Sequence, residues 1–367
     1  MHHTLPGMAT QFSTRANAGL EGVVAAETHL SHVDGERGEL IVAGRRLEEL
    51  VRHDYEDVVA ELWEAAGAPR QGRVIALPLP DSALALLRSA AERGVAPMDA
   101  LRMAAGTLRA EDDVTAGQRL VGSFPTIVAA YARMLRGAQP LAPLRNLGLA
   151  ANFLYMLTGS EPHTELVRGL NVYLTTVSDH GLNASTFAAR VITSTGSDFV
   201  SAVTGAVGAL KGPLHGGAPG PALDTVFEIG SAERAAGVLR DELARGERLM
   251  GFGHRIYKVR DPRADVLAAA AARMFERAGD LRLYELARAV EATALRLLEE
   301  HKPGRRLKTN VEFYTALLLH GLGIETAFFT PTFAIGRVAG WTAHCFEQRA
   351  LGRLIRPQSV YVGHVPR

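Results

Sequence analysis

The sequence has little of several features that mark particular classes of protein. It contains one cysteine in 367 residues, Cys345, which excludes an internal disulfide and a cysteine-rich zinc site. Such sparse cysteine is typical of a reducing compartment, so we expect a cytoplasmic protein. Cys345 stands in a segment of helical pattern, "WTAHCFEQ", and this disfavours a catalytic thiol.

Neither an excess of one charge nor a long apolar run is present. Lys+Arg number 40 and Asp+Glu 39, so we expect no nucleic acid or anionic membrane as a partner. The apolar runs are short and interrupted by charge or glycine, so no segment is predicted to span a bilayer. The first residues, "MHHTLPGMATQ", lack the basic and apolar regions of a secretory signal, and we expect none.

The pattern of apolar residues along the sequence is mostly helical. Apolar residues recur at three- and four-residue spacing over 197–210, where Asp198 can cap the helix, and over 282–301. Asp261 followed by Pro262 marks the start of a further helix. Only "ELIVAG" (39–44), in a hairpin, and "RVIAL" (73–77) favour strands. The sequence predicts an all-α fold with a small N-terminal β-hairpin.

Two glycine-rich joints divide the chain. They are "GALKGPLHGGAPG" (208–220) and "LHGLGIETAFFTPT" (319–332). A chain of 367 residues is long for one core, and these joints are where a smaller domain would leave and rejoin a larger one. We therefore expect a large helical domain of residues 1–216 and 323–367, and a smaller, mobile domain of residues 217–322.

Four stretches combine rare polar residues with glycine, proline or apolar neighbours. They are "SDHGLNAS" with His180, the first joint with His215, "GFGHRIYKVRDPRA" with His254, and "KTNVEFY" with Glu312. Each histidine, taken alone, is most simply a turn or core residue. The H-x-x-x-H spacing of zinc sites is absent, so we expect no metal. "GFGHRI" has neither the preceding strand nor the third glycine of a dinucleotide loop, and no G-x-S-x-G occurs.

Three arginines and one glutamate stand out for their chemistry. Arg263 is the second residue of a capped helix, where backbone amides already favour an anion. Together with Arg337 and Arg356 it suggests a dicarboxylate site, because guanidinium groups bind carboxylates in bidentate pairs. Glu312 has apolar neighbours on a predicted helix, where an ionised carboxylate is costly to bury. A role for Glu312 as a base is therefore favoured over a structural one.

These stretches resemble the citrate synthase family, and the resemblance covers nearly the whole chain. Several motifs in the family's order are far more specific than any one of them. The C-terminal motif is similar to the shorter bacterial and archaeal form, whose members make citrate or 2-methylcitrate. The motifs are "GLEGVVAAETHLSHVDG" (19–35), "NASTFAARVITSTGSDF" (183–199), "GALKGPLHGGA" (208–218), "GFGHRIYKVRDPRA" (251–264), "NVEFY" (310–314), "FAIGRVAGW" (333–341) and "GRLIRPQSVYVG" (352–363).

The resemblance implies a reaction and roles in it. An acyl-CoA, expected to be acetyl-CoA, would condense with oxaloacetate to give citrate and free CoA, with the small domain closing on the large one. By this resemblance His215 would hydrogen-bond the thioester oxygen, His254 would polarise the oxaloacetate carbonyl and supply a proton, and Glu312 would be the base. The residues implied in oxaloacetate binding are His180, His254, Arg263, Arg337 and Arg356.

The resemblance also implies partners. The CoA thioester would be a co-substrate, and no cofactor would be permanently bound. Lys258 falls where the family has a cation near the CoA phosphates, and Arg255, Arg305 and Lys308 are further candidates for that task. The family's usual assembly is a homodimer, in which Arg356 would reach into the site of the partner subunit.

The sequence departs from the family pattern at three places. The family base is an aspartate, whereas this chain has Glu312, whose extra methylene moves the carboxylate by roughly 1 Å. A misplacement of that size can cost on the order of 10²-fold in rate, so either the pocket compensates or turnover is low. Pro219 replaces a common asparagine, and "IVAGRR" (41–46) lacks the aromatic Y-R-G-Y form.

Two other functions remain open at this point. One is a 2-methylcitrate synthase that uses propionyl-CoA, because one methylene changes selectivity by only about 1–3 kcal/mol. The other is a weakly active or non-catalytic paralogue that binds oxaloacetate or CoA, which Glu312 and Pro219 favour.

Overall fold

The computed structural model describes residues 18–20, 22–215 and 219–365. Within these residues the chain forms fifteen α-helices and one small sheet, so the predicted all-α fold is confirmed. The helices are α1 (Leu47–Leu50), α2 (Tyr55–Ala65), α3 (Asp81–Glu92), α4 (Pro97–Ala105), α5 (Asp113–Leu135), α6 (Leu149–Thr158), α7 (Thr164–Thr176), α8 (Ala184–Ser194), α9 (Phe199–Leu210), α10 (Pro219–Ile229), α11 (Ala232–Ala244), α12 (Pro262–Ala278), α13 (Arg282–His301), α14 (Val311–Gly321) and α15 (Phe329–Leu351), with 3-10 turns at Ala18–Leu20 and Thr326–Phe328.

The predicted hairpin is confirmed and carries a third strand. Strands β1 (Ser31–Asp34) and β2 (Glu39–Val42) pair antiparallel, and β3 (Arg45–Arg46) pairs with β2. The β1–β2 turn touches the loop before α12, where the Gly35 carbonyl accepts a hydrogen bond from Lys258 N at 2.9 Å. A Cβ at position 35 would lie 2.2 Å from the Ile256 carbonyl oxygen, so this close approach requires glycine.

The predicted strand at 73–77 is wrong. Val74 and Ala76 are buried, as an alternating pattern predicts, but no strand of the described residues pairs with their segment. It lies instead against α5, where Leu77 N donates to the Gly122 carbonyl at 2.9 Å. A Cβ at Gly122 would lie 2.4 Å from the Ile75 carbonyl oxygen, so a helix takes the place of the expected partner strand.

Three helix predictions are confirmed. Asp198 caps α9 by accepting from Ser201 N at 2.8 Å, and Asp261 caps α12 by accepting from Arg263 N at 3.0 Å. Helix α13 covers the predicted residues, 282–301. The helices that carry two of the candidate site segments therefore begin where their capping residues indicate.

Helix α15 runs through the core beneath the candidate site. Two of its glycines permit close contact with α7 and with the residues after it: a Cβ at Gly336 would lie 2.8 Å from Leu174 O, and one at Gly340 2.4 Å from Ser178 O. This contact brings Arg337 beneath the segment that holds His180. Cys345 is fully buried on the same helix, and burial raises the pKa of its thiol to about 12.

The first predicted joint lies partly outside the described residues. These exclude residues 216–218, where the large domain was expected to end, and the side chain of Pro219. The second joint, residues 319–332, spans the end of α14, the 3-10 turn Thr326–Phe328 and the start of α15. The division into two domains stays a prediction. No helix in the described part of the chain is long and apolar enough to cross a bilayer.

Candidate active site

The chain folds so that the predicted polar stretches meet around one centre. The His180 and His254 rings have centroids 5.7 Å apart. The positive charge of Arg337 acts on both His180 and His215, and that of Arg263 acts on Glu312. Six of the predicted site residues are thus brought together: His180, His215, His254, Arg263, Glu312 and Arg337.

His254 lies in the loop before α12, and one of its ring nitrogens accepts two hydrogen bonds. Its Nδ1 accepts hydrogen bonds from the backbone amides of Ile256 and Tyr257, both at 3.1 Å. We therefore assign the ring proton to Nε2, which makes Nε2 a donor. Burial, with the charge of Arg263, lowers the pKa of His254 to about 4, so the ring is neutral at pH 7.

Arg263 is held rigidly by the residue that caps its helix. Asp261 is fully buried and accepts from Arg263 Nε at 3.0 Å and from Nη2 at 2.7 Å, in a bidentate pair. Nη2 also lies 3.4 Å from His254 Nε2. Both atoms carry protons, so they are two adjacent donors, and an oxygen between them would satisfy both.

His180 lies between this pair and α15. Its Nε2 is 3.2 Å from the hydroxyl of Tyr257, with which it forms a hydrogen bond. Burial and the positive charges of Arg263 and Arg337 lower the pKa of His180 well below its usual range. The imidazole is therefore neutral, because a third positive charge would be repelled there.

Arg337 is a buried cation without a carboxylate partner. Only 1 % of its surface is exposed; its Nε donates to Val177 O at 2.6 Å, and its guanidinium lies 4.7 Å from the centre of the Phe333 ring. Among the described residues no carboxylate lies within ion-pair distance of it. Burial lowers the pKa of Arg337 to about 10, which leaves it charged at pH 7. The charge of the buried Asp179 acts on this guanidinium from beyond ion-pair distance, so an anionic ligand could supply the direct ion pair that it lacks among the described residues.

His215 is oriented by a serine at the start of α8. Its Nε2 lies 2.8 Å from Ser185 Oγ and 3.4 Å from the Ser185 backbone amide, which points at it. Trp341 Nε1 donates to the same Oγ at 3.1 Å. The Ser185 hydroxyl has one proton and lies 2.8 Å from both Nε2 and Asn183 Oδ1; because Asn183 Oδ1 already accepts from Thr186 N, we direct that proton to Nε2. Nε2 is then the acceptor and Nδ1 the protonated nitrogen. Burial lowers the pKa of His215 to about 4, so this ring too is neutral.

Glu312 is a half-buried carboxylate in the first turn of α14. Its backbone amide donates to the side chain of the capping Asn310 at 3.0 Å, but its carboxylate has no hydrogen bond or ion pair to another described residue. Burial raises the pKa of Glu312 to about 7, and the charge of Asp261 adds to this while Arg263 opposes it. A carboxyl group with this pKa can take up and release a proton near neutrality.

The loop of His254 and the helix of Glu312 are joined into one unit. Gly253 N donates to Lys308 O at 2.7 Å, and Asn310 Nδ2 donates to Gly253 O at 2.9 Å. Behind them the buried Glu291 of α13 accepts from the hydroxyls of Thr309 and Tyr314, both at 2.6 Å, and from Arg260. These bonds fix the distance between the acid–base groups on the two segments.

The remaining predicted residues lie on the surface. Arg255, Lys258, Arg305 and Lys308 are exposed, on two loops joined by the Gly253–Lys308 bond, and Lys258 Nζ donates to the Arg255 carbonyl at 3.0 Å. Arg356 is exposed in the segment after α15, and within the described part of one chain no hydrogen bond joins it to the site.

Three polar residues of the site were not predicted from the sequence. They are Tyr257 beside His180, Ser185 beside His215, and Asp261 as the ion-pair partner of Arg263. Asp261 was recognised only as a helix cap. Arg263 follows Asp261 by two residues and lies in the first turn of the helix that Asp261 caps. This spacing could have indicated the bidentate pair.

Comparison with known proteins identifies the class to which this fold and site belong. The family model for the citrate synthase C-terminal domain matches residues 19–358. Citrate synthase of Haloferax volcanii is 40% identical over 94% of this chain and 95% of its own length. A 2-methylcitrate synthase of Mycobacterium tuberculosis is 38% identical over 95% of this chain and 91% of its own.

Solved structures of citrate synthases are also similar to this chain. The crystal structure of citrate synthase from Pyrobaculum aerophilum has a TM-score of 0.85 and 33% identity, with 100% of this chain and 99% of that one covered. Citrate synthase from Thermoplasma acidophilum, in a ternary complex with carboxymethyl coenzyme A and oxaloacetate, has a TM-score of 0.84 and 28% identity, with 96% and 97% covered.

The chain belongs to the citrate synthase family. It is an acyltransferase of the citrate synthase type, which condenses an acyl-CoA with oxaloacetate and releases CoA. In the described part of the chain no group of three or more histidine, cysteine, aspartate or glutamate residues could hold a metal ion.

Proposed function

We propose that this enzyme condenses acetyl-CoA with oxaloacetate to give citrate and CoA, with Glu312 as the base. One observation carries the proposal: a carboxyl group with a pKa of about 7 stands unpaired in a site whose histidines are neutral. A base poised near the working pH, surrounded by neutral donors, suits the removal of a weakly acidic carbon-bound proton.

Oxaloacetate would be held by the cationic side of the site. Arg337 supplies a charge that forms no ion pair with a carboxylate of the described residues, and Arg263 retains donors beyond those it gives to Asp261. His180 would hold a carboxylate or carbonyl oxygen next to them. His254 Nε2 would donate to the ketone oxygen, which makes the ketone carbon electrophilic.

Condensation would proceed in three balanced steps. Glu312 takes a proton from the acetyl methyl group while His215 Nδ1 donates a hydrogen bond to the thioester oxygen, and this gives an enolate that the bond stabilises. The enolate carbon attacks the ketone carbon of oxaloacetate, and the former ketone oxygen receives its proton from His254 Nε2. Water then cleaves the thioester and releases citrate and CoA. Arg255, Lys258, Arg305 and Lys308 would contact the CoA phosphates.

The raised pKa of Glu312 predicts the pH dependence of the reaction. Below pH 7 its carboxyl group is protonated and cannot act as a base, so kcat/KM should rise tenfold per pH unit and level off above about 7. His215 and His254, with pKa values near 4, stay neutral across this range and add no inflection. Initial rates between acidic and mildly alkaline pH test this, and a flat profile would contradict the assignment.

We also propose a homodimer in the cytoplasm, where citrate formation would serve the tricarboxylic acid cycle. The segment after α15 supports a dimer, because Leu354, Val360, Tyr361 and Val362 expose between 57% and 71% of their surface in the single chain. Apolar residues of this kind would be covered by a second copy. The same segment carries Arg356, which would enter the partner's oxaloacetate site. Closure of residues 217–322 on the rest would exclude water.

Mixed dimers give a direct test of Arg356. Subunits with Arg356→Ala and subunits with Glu312→Ala should each be inactive alone and should regain activity when they are co-expressed. One site of the mixed dimer would then hold an intact Glu312 and an intact Arg356 from the neighbour. If Arg356 acts within its own chain, every site keeps a defect and activity stays absent. Light scattering should find a dimer throughout.

The acyl group is tested by coupled release of free CoA. We expect a higher kcat/KM with acetyl-CoA than with propionyl-CoA. The similarity to a 2-methylcitrate synthase at 38% identity supports a second candidate, in which propionyl-CoA is preferred. A preference of tenfold or more for propionyl-CoA, about 1.4 kcal/mol, would establish that candidate instead.

A further inference from the structure

One buried hydroxyl close to the active site has no hydrogen-bond partner. Tyr173 in α7 is fully buried, and its phenol oxygen forms no hydrogen bond with any described residue. The comparably buried Tyr55, Tyr257 and Tyr314 all bond their hydroxyls to other groups of the chain. A buried hydroxyl without a partner costs free energy, so this exception among the buried tyrosines needs a physical reason.

The helices around Tyr173 carry three of the site residues. Helix α7 packs against α12, α14 and α15, on which Arg263, Glu312 and Arg337 lie. The charges of Arg337 and Glu312 both act on the Tyr173 hydroxyl. One turn after Tyr173, Val177 donates its amide to the Tyr173 carbonyl at 3.1 Å and accepts from Arg337 Nε at 2.6 Å. These contacts place Tyr173 beside the cationic side of the site.

Tyr173 keeps its proton and is therefore a hydrogen-bond donor at neutral pH. Burial raises the pKa of its phenol, and the opposing charge of Arg337 does not reverse that shift. Arg337 is a second buried donor, and it forms no ion pair with a carboxylate of the described residues. One oxygen-bearing anion can satisfy two neighbouring donors of this kind, because each carboxylate oxygen accepts more than one hydrogen bond.

We propose that Tyr173 is a further oxaloacetate-binding residue, whose hydroxyl donates a hydrogen bond to the carboxylate that Arg337 binds. The inference rests on the position proposed above for oxaloacetate, beside Arg337, and adds an uncharged donor to it. Both buried groups then gain the acceptor that they lack in the free enzyme. The carboxylate takes no part in bond formation, so the contact is present before and during condensation and contributes to binding more than to kcat.

Tyr173→Phe tests this contact, because it removes the hydroxyl and keeps the ring. Loss of a hydrogen bond to a charged group should weaken oxaloacetate binding, measured by calorimetry, by about tenfold or more. The KM for oxaloacetate should rise by a similar factor, while kcat and the KM for acetyl-CoA stay within about twofold. The unfolding midpoint of the free enzyme should be unchanged or higher, because the variant removes an unpaired buried hydroxyl.

Tyr55→Phe is the matched control. Tyr55 is equally buried and the charge of Arg337 acts on it too, but its hydroxyl bonds to the carbonyl oxygens of Ile335 and Gly336, at 2.7 and 2.8 Å. This variant should lower the unfolding midpoint and leave the affinity for oxaloacetate within about twofold. Equal losses of oxaloacetate affinity in Tyr55→Phe and Tyr173→Phe would overturn the proposal, because both changes would then act through the packing around Arg337.

Two further results decide against the proposal in different ways. If Tyr173 donates to the Glu312 carboxylate instead, Tyr173→Phe keeps its affinity for oxaloacetate, lowers kcat and moves the pH at which kcat/KM levels off upwards. Arg337→Leu separates the inference from the proposed function. If it leaves oxaloacetate affinity unchanged, the proposed position of the substrate is wrong, and the role of Tyr173 with it. If Arg337→Leu weakens binding and Tyr173→Phe does not, only the contact with Tyr173 is refuted.

Discussion

Glu312→Ala is expected to abolish condensation while oxaloacetate affinity stays nearly unchanged. The carboxylate is the single unpaired base in the described site, and a positioned general base contributes about 10²–10⁴-fold to a rate. The arginines and histidines proposed to hold oxaloacetate form no hydrogen bond or ion pair with Glu312 among the described residues, so binding should survive. Turnover by CoA release, with affinity for oxaloacetate measured by calorimetry, separates the two effects.

A second carboxylate offers a matched control for this variant. Glu242 in α11 is 8 % exposed, and burial raises its pKa as it does that of Glu312, but its charged neighbours are Glu228, Glu247 and Arg245 rather than site residues. Glu242→Ala should keep wild-type kcat. If Glu312→Ala keeps wild-type turnover with both acetyl-CoA and propionyl-CoA, the base has been assigned to the wrong residue.

Glu312→Asp asks whether the pocket has adapted to the longer side chain. Aspartate restores the family's residue but withdraws the carboxylate by roughly 1 Å, which can cost on the order of 10²-fold when a site is tuned to glutamate. If the wild type is active and Glu312→Asp is slower, the pocket has adapted to the extra methylene of glutamate. If the wild type is slow and Glu312→Asp is faster, the glutamate places the carboxylate less favourably than aspartate does.

The sequence indicated which segments meet better than it indicated how their side chains pair. His254 and Arg263 were predictable because a capped helix and a glycine-bearing loop adjoin within ten positions. Tyr257 pairs with His180 across 77 positions, and Ser185 with His215 across 30, so neither contact has a local signal. Which ring nitrogen carries the proton in His180 and in His215 depends on these contacts, so it could not be predicted from the sequence.

The direction in which burial shifts the pKa of Glu312 could be predicted from the sequence, but the charged residues that modify the shift could not. The apolar neighbours of Glu312 indicated a raised pKa, whereas the opposing effects of Asp261 and Arg263 arise only when α12 and α14 pack together. The error at 73–77 has the same origin. Alternating burial of Val74 and Ala76 is a property of an extended segment, and the sequence does not say that its neighbour is helix α5.

The second large effect is expected from Arg337→Leu, which should weaken oxaloacetate binding far more than CoA binding. The guanidinium is buried, keeps its charge, and forms no ion pair with a carboxylate of the described residues, since Asp179 acts on it only from a greater distance. Loss of one partner from a buried charge pair costs about 2–5 kcal/mol, so affinity for oxaloacetate should fall by roughly 30-fold to several thousand-fold. CoA is proposed to contact other cations, Arg255, Lys258, Arg305 and Lys308, so its affinity should fall little.

The thermal stability of Arg337→Leu should not fall as its affinity for oxaloacetate does. Leucine removes a desolvated charge that has no ion pair in the described residues and is opposed only by the more distant charge of Asp179, so the unfolding midpoint of Arg337→Leu should change little. Arg190→Leu is the matched control, because Arg190 is equally buried but pairs with Glu347 and with Gln348 at 3.0 Å. That change leaves a carboxylate without its cation and should destabilise the fold by about 3 kcal/mol or more. If Arg337→Leu instead unfolds as readily as Arg190→Leu, or weakens CoA and oxaloacetate equally, Arg337 serves the core and the anion site lies elsewhere.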